Sequence, residues 1–485
     1  MLRENEIISK VLLTVDQYKG KVSSLRTGIS NDTYLRSENF SRLLLWKVCL
    51  ITDSLNIQKW DEALSASRIV YTQILKRPDM AIPWDQLEPD NVFYIPRKTT
   101  RRETNTIKKV INNLERVHID DDPLTADNNK QGNHSNIHLP TDLELLEIIT
   151  LDIERIFPGN ELFHAPTTDA LNHRRTLVQI LYIWSKCNPS VGYKQGLHEL
   201  LGLVYLNLWR ESIEIPNTNT ISTDDLKILK LYNVKYLAHD LFSMFNKFVM
   251  QSGIGPKYFE SEQELFKSIQ TFDMYLLKVD QLIHYNLTNK LKLESPLWLI
   301  RYLRLLLSRE LGNDLECVSI FWDKLIGGNC STTSSNTSGI TIGNIGIGGD
   351  KPNGNTITTI PDLLTFSVII LLIHIKTDLI TSDFSEALSL LLHYPIAKIS
   401  GKYSSKADFI SKLYKDAVSL YERRDNDKKL YEYGLKLNTH YNPNLKITMS
   451  YRSSEEVERS KEEKLKFEKL RMEMRLKKKV KSMMG

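Results

Sequence analysis

The chain has 485 residues, 41% of them apolar, which is enough for a large core divided between two subdomains or domains. Its formal charge of +5 is small for that length, so composition gives no argument for nucleic-acid binding and any basic surface must be local. Cys49, Cys187, Cys317 and Cys330 are widely spaced, with no CxxC and no His at a ligand interval, so neither a zinc site nor a disulfide framework is proposed.

The opening residues, MLRENEIISK, mix charges and carry no apolar core of signal-peptide length. Residues 1–24 are expected to form a helical lead-in. In the stretch 120–140 polar residues and Asn accumulate, and an inserted, disordered loop is expected there. Thr141 and Glu144 then have the spacing of a capping box. Leu145, Ile149, Asp152 and Ile156 step along one helical face, and Pro158 is expected to stop the run.

A second stripe, Leu177, Ile180, Leu181 and Trp184, closes at Asn188-Pro189. A third follows in Leu197, Leu200, Leu201, Val204 and Leu208. Two helices therefore meet at the turn SVGYKQG. The polar stretch 217–225 is expected to be a short insert. Trp298, Arg301, Tyr302, Leu305 and Leu306 fall on one helix, Val318 to Leu325 on another, and Leu363 to Ile375 on a buried one.

The tract 327–359, rich in Ser, Thr, Asn and Gly, is expected to be a long inserted loop. A helical extension follows over 401–450. The tail, 451–485, is charged. Between Lys464 and Lys481 nine Lys or Arg stand against two Glu, a net of +7, with Phe467, Leu470 and Met474 at helical spacing. A solvated, fraying helix is the expectation, with contact to an anionic membrane or an acidic partner as the alternative. The longest apolar run, Val368 to Ile375, falls short of the roughly 20 residues that span a bilayer. Segments that alternate with period two are few, so the fold class expected is all-α.

Two stretches carry chemistry. In IITLDIERIFPGNELF, residues 148–163, Asp152 and Arg155 lie one helical turn apart, close enough for the carboxylate to orient the guanidinium. In GYKQGLHELLG, residues 192–202, Gln195 sits between an aromatic residue and a glycine at a helix start. On spacing alone, the first is ordinarily a structural ion pair and the second a turn contact.

The residues nevertheless resemble a family. Ile149, Asp152, Arg155 and Pro158 match I-x-x-D-x-x-R-x-x-P, and Tyr193, Gln195 and Gly196 match Y-x-Q-G, the motifs of TBC-domain GTPase-activating proteins for Rab GTPases. LRSENFSRLLLWK, with Arg42 and Trp46, resembles the family's opening R-x-x-x-W helix. WLIRYLRLLLSREL, with Arg301, Arg304 and Arg309, and FWDKL, with Trp322 and Asp323, resemble its later helices, and LLHYP its closing segment. The resemblance covers most of residues 25–400, and GYKQGLHELLG and VKYLAHDLF look most similar to the fungal GYP class and its metazoan Golgi and endosome relatives. Ile156, Leu197 and Leu311 depart from the threonine, methionine and phenylalanine usual at those places.

The resemblance implies a TBC domain of two helical subdomains that form a groove. It implies Arg155 as an arginine finger and Gln195 as a glutamine finger supplied in trans to the GTP form of a Rab. Asp152, Tyr193 and Gly196 would support them or contact the Rab. No cofactor or metal of the chain's own is expected, since GTP and magnesium belong to the partner. The implied location is cytoplasmic, peripheral to Golgi or endosomal membranes.

Rival readings fare less well. A catalytically inactive scaffold would have no use for both Arg155 and Gln195. A helical solenoid would show a period of roughly 34 to 47 residues, which is absent. His198-Glu199 lacks the second histidine of a zinc helix, and GNIGIGG lacks the Lys-Ser/Thr of a phosphate loop.

Overall fold

The structure, a computed structural model, describes residues 2–96, 140–215, 221–312, 315–328, 360–445 and 461–483. Among these residues the fold is all-α, and the one extended pairing is an isolated parallel bridge between Ile213 and Asn233.

Local chemistry explains where helices begin. Thr141 accepts from the Glu144 amide while Glu144 reaches back to the Thr141 amide, so the expected capping box starts the Asp142–Glu154 helix. Ser41, Thr167, Ser222, Ser261 and Ser405 each accept from a backbone amide in the first turn of the helix that follows.

Packing explains which helices lie inside. The Ile360–His374 helix is apolar all round and buries nearly every residue to Ile373. Every residue from Leu197 to Leu208 is buried in the Leu197–Glu211 helix. At about 1.5–3 kcal/mol for each large apolar side chain, these two helices contribute heavily to the drive to fold. Both belong to one hydrophobic cluster that runs from Val11 to Leu437.

Several expectations need correction. The helix around Arg301 spans Pro296–Arg304 and excludes Leu305 and Leu306. Leu306 and Leu307 adopt left-handed backbone (φ 47° and 63°), which turns the chain while both side chains stay fully buried. The helix before Pro158 ends earlier than expected, at Glu154, with Arg155 as its C-cap. Of the expected insert 217–225, Thr223, Asp224 and Asp225 form the first turn of the Thr223–Tyr232 helix, and 217–220 lie outside the described residues. Gly327 and Gly328 close the Glu316–Gly328 helix, where Gly327 is packed so closely that a β-carbon would meet Ile29 Cδ1 at 2.6 Å.

The remainder of that tract, 329–359, lies outside the described residues, as do 120–139 and 451–460. The tail from Lys461 to Met483 is a helix, and it is not free in solvent: Leu470 and Met474 pack with Leu282 and Ile380. No described helix is long and apolar enough to cross a membrane.

Candidate functional site

Arg155 leaves the Asp142–Glu154 helix at its C-terminal end. Its guanidinium donates to Asp152, the residue one turn earlier. The arginine side chain is 61% exposed and the aspartate 4% exposed. A buried carboxylate thus holds a cation that points outward. An arginine at a helix C-terminus also suits the negative end of the helix.

The loop beyond is tightly turned. Phe157 has φ 39°, which is strained for a residue with a side chain, and Pro158 is exposed after it. Ile156 is fully buried and packs toward Gly202 on the Leu197–Glu211 helix. A β-carbon at Gly202 would overlap Ile156 Cδ1 and press on Phe157 Cε2 at 3.1 Å. The glycine lets the arginine loop sit directly against the second helix.

That helix carries the other stretch. Gly196 is its N-cap with φ 105°, and a β-carbon there would approach Leu305 Cδ2 to 3.1 Å, so both conformation and space call for glycine. Gln195, just before it, is exposed and has no hydrogen-bond partner among the described residues. Its carboxamide is available to an incoming molecule.

Tyr193 ties the two stretches together. Its hydroxyl donates to Asp152 Oδ2 at 2.6 Å. Burial first, and then the Asp152 carboxylate, push the Tyr193 hydroxyl well above its ordinary range, so it remains a donor. His198 Nδ1 lies 3.2 Å from the same hydroxyl and 3.4 Å from Asp152 Oδ2. Burial lowers the His198 ring below its usual value despite Asp152 and Glu199, which favours the neutral form. Arg309 forks onto Glu199 with contacts of 3.0 and 2.7 Å.

The other residues singled out by sequence lie in the frame. Arg42 grips Asp323 with Nε at 2.8 Å and Nη2 at 2.7 Å, and Trp46 Nε1 donates to the same carboxylate at 2.8 Å. Trp322 Nε1 donates to the Leu306 carbonyl at 3.2 Å, which fixes the turn after Arg304. Arg301 donates to Glu310 at 2.9 Å and Arg304 to the Tyr258 carbonyl at 3.1 Å. Asp152, Arg155 and Tyr193 are thus brought into contact, with Gln195 and Gly196 on the same turn, while the Arg42, Trp46, Trp322 and Asp323 group is a separate structural staple.

Sequence reasoning missed Ile148 and Leu151. They are 45% and 53% exposed on the Asp142–Glu154 helix. With Arg155 they follow an i, i+3, i+7 spacing, so an apolar strip leads to the guanidinium. The signal was present, because IITLDI holds more apolar residues than one buried stripe needs. Gly202 was also missed, and His198 was weighed only as a zinc ligand; packing alone reveals Gly202 under the arginine loop and His198 beside Tyr193 and Asp152.

Comparison with known proteins finds likenesses that agree with one another. Residues 108–337 match the model of the Rab-GTPase-TBC domain. TBC1 domain family member 5 of Mus musculus is 24% identical over 278 residues, 53% of this chain and 30% of the relative. A Dictyostelium discoideum protein, TBC1 domain family member 5 homolog B, is 34% identical over 128 residues, covering 26% of this chain and 11% of its own. The GTPase-activating protein gyp1 of Schizosaccharomyces pombe is 24% identical over 233 residues, 47% of this chain and 40% of the relative. The chain covers well under two thirds of the length of each of these relatives. The crystal structure of the Ypt/Rab-GAP domain of Gyp1p superposes with a TM-score of 0.53 at 17% identity, covering 86% of this chain and 99% of that one, and establishes the likeness of fold.

Proposed function

The chain contains a Rab-GTPase-TBC domain, and from that premise we propose that it accelerates GTP hydrolysis on a Rab GTPase in its GTP form. The observation that carries the reading is the exposed Arg155 anchored by buried Asp152, with an unpartnered Gln195 on the turn whose Tyr193 bonds the same aspartate. The chain would be an activator that completes its partner's active site.

Hydrolysis on such a GTPase is slow because charge around the transferred phosphoryl is poorly neutralised and the attacking water is loosely held. Arg155 would supply a delocalised cation with forked donors. Gln195 would accept from the water through its carbonyl and donate to phosphate through its amide. The apolar strip of Ile148 and Leu151 would meet the partner beside the arginine, and GTP and magnesium would come with the Rab. Action at Golgi or endosomal membranes is part of the same proposal.

Single-turnover hydrolysis with purified, GTP-loaded Rabs tests the reading. Arg155→Ala is expected to lower the accelerated rate on the order of 10³-fold or more, and Arg155→Lys to restore little because lysine lacks the fork. If Gln195 is the second finger, a Rab whose own switch glutamine is changed to Ala still responds to the wild-type protein, whereas Gln195→Ala is nearly inactive on unaltered Rab. Near-normal rates for Arg155→Ala would end the arginine-finger assignment. Full activity of Gln195→Ala, with the altered Rab unresponsive, would return Gln195 to a turn role. A protein that binds GTP-loaded Rab without acceleration would instead be the scaffold.

A further inference from the structure

The Lys461–Met483 helix is fastened to the body along one side. The Arg471 guanidinium donates to the carbonyls of Ile380 at 3.1 Å and Ser382 at 2.7 Å, at the C-terminal end of the Lys376–Thr381 helix. Unsatisfied carbonyls and the negative end of a helix both favour a cation there. Leu470 and Met474 join Leu282 and Ile380 in a small apolar cluster. Glu468 pairs with Lys290, and Arg475 lies 3.6 Å from Asp383.

The opposite side is differently made. At about 100° per residue, positions 470, 471 and 474 centre on one direction, and 472, 476 and 480 centre on the reverse. Met472, Leu476 and Val480 occupy those positions and are 68%, 65% and 48% exposed. Lys466, Lys469, Lys477 and Lys478 are exposed on the same helix, and Lys461–Met483 holds ten Lys or Arg against four Glu, a net of +6.

The stripe that docks the helix and the stripe left in solvent are therefore distinct. A helix held only for its contact with the body would have no use for the second, since Glu, Gln or Lys there would favour the helix at least as well. We infer that the Met472–Leu476–Val480 face binds an anionic lipid surface. Charge complementarity identifies the occupant. Flexible lysines beside a short apolar stripe suit a diffuse layer of negative headgroups, into which Met, Leu and Val insert to the depth of the acyl boundary. A protein groove would instead be met by rigid aromatic or arginine anchors, and Met472, Leu476 and Val480 include neither. The docking contacts would hold the helix in register while its outer face meets the membrane.

The test uses full-length protein and vesicles of phosphatidylcholine with or without phosphatidylserine, in a co-sedimentation assay that needs no GTPase. Binding is expected only with phosphatidylserine and is expected to fade as salt rises. Lys466→Glu with Lys469→Glu, the exposed lysines that flank the apolar stripe, is expected to weaken it at least 30-fold, taking a factor of about five for each lysine lost near the surface. Met472→Ser with Leu476→Ser is expected to weaken it roughly tenfold at unchanged charge. All four positions are exposed, so folding is not at stake, and helix content by circular dichroism serves as the check. Failure of wild-type protein to bind phosphatidylserine vesicles at low salt overturns the lipid assignment and gives the face to an acidic protein. Equal binding by the wild type and the Ser variant overturns the role of the apolar stripe. Stimulation of soluble Rab by these variants is read separately, so failure here is distinct from failure of the proposed function.

Discussion

Asp152 is the residue on which the candidate site turns. It is almost completely buried, yet it accepts from the exposed Arg155 on one side and from Tyr193 on the other. A carboxylate with both oxygens engaged has little freedom to rotate, and the guanidinium it holds inherits that stiffness. Tyr193→Phe keeps the ring and removes only the hydroxyl. A hydrogen bond to an ionised group contributes about 1.5–3 kcal/mol, and part of that is expected to appear as lost orientation of Arg155. Single-turnover stimulation of Rab should fall about tenfold, with little change in melting temperature. Wild-type rates in Tyr193→Phe would mean that Arg155 is positioned by the partner instead. At this scale the sequence singled out Arg155 and Gln195 as candidates because each lies in a short motif. The Tyr193 bond to Asp152 joins residues 41 apart, and no spacing rule reaches across that gap.

Elements meet at Gly202. The Ile156–Phe157 loop and the Leu197–Glu211 helix touch there without an intervening side chain. Gly202→Ala sets two effects against each other: alanine favours a helix interior by about 1 kcal/mol, and overpacking costs about 1–3 kcal/mol. The overlap falls on Ile156, which is fully buried and cannot swing into solvent, so the clash should win. The arginine loop is the softer partner and should move. The expected outcome is a small loss of stability, under about 2 kcal/mol by urea titration, with a loss of Rab stimulation larger than that destabilisation explains. Unchanged stimulation in Gly202→Ala would show that the contact does not position Arg155.

Element starts were readable from the sequence because caps are local: Thr141 with Glu144 announces its helix unaided. The break after Arg304 was not readable. LRLLL fits a helix by composition and period, and only the tertiary need to bury Leu306 and Leu307 while returning Glu310 to Arg301 forces the turn. The tail helix misled for a similar reason. Its charge suggested solvent, but the carbonyls at the end of the Lys376–Thr381 helix offered Arg471 a place that no sequence window contains.

Across the whole molecule, charges are taken inside in matched sets that join distant parts of the chain. Asp240 receives Lys47 at 2.7 Å and Arg68 at 2.7 Å. Burial alone would raise its pKa, but Lys47 and Arg68 outweigh that and hold the carboxyl below its ordinary range. Asp280 receives Lys376 at 2.6 Å, and Asp32 receives Lys324 and Lys415. Removing the aspartate of such a set costs about 3–5 kcal/mol because the buried lysine, Lys47, Lys376 or Lys324, is left without a counter-charge. These staples could not be read from sequence, where each lysine or aspartate resembles an ordinary surface residue.

His374 is an exception to that matching. It ends the buried Ile360–His374 helix among the rings of Tyr441, Phe409 and Tyr403, at centroid distances of 4.0, 5.9 and 6.3 Å, and its buried Nε2 has no hydrogen-bond partner among the described residues. Burial is the main cause that pushes its pKa down to about 3, and Lys402, Lys412 and His440 add to it with no acid opposing. The folded value is therefore below the unfolded one of about 6.5, so the unfolded chain binds the extra proton between these limits. Stability from this group is complete above about pH 6.5 and is lost as pH falls toward 3. At pH 5 the loss is about 2 kcal/mol, set by the 6.5 end of the window. His173, His198 and His239 are also lowered by burial and add to the wild-type slope, so the comparison must isolate one ring. His374→Phe keeps an aromatic ring and removes the titration. Urea unfolding at pH 7.5 and pH 5 should therefore show a drop in stability about 2 kcal/mol smaller in His374→Phe than in the wild type. Equal drops in the two proteins would mean that His374 is protonated in place, with water or a rearranged side chain reaching its Nε2.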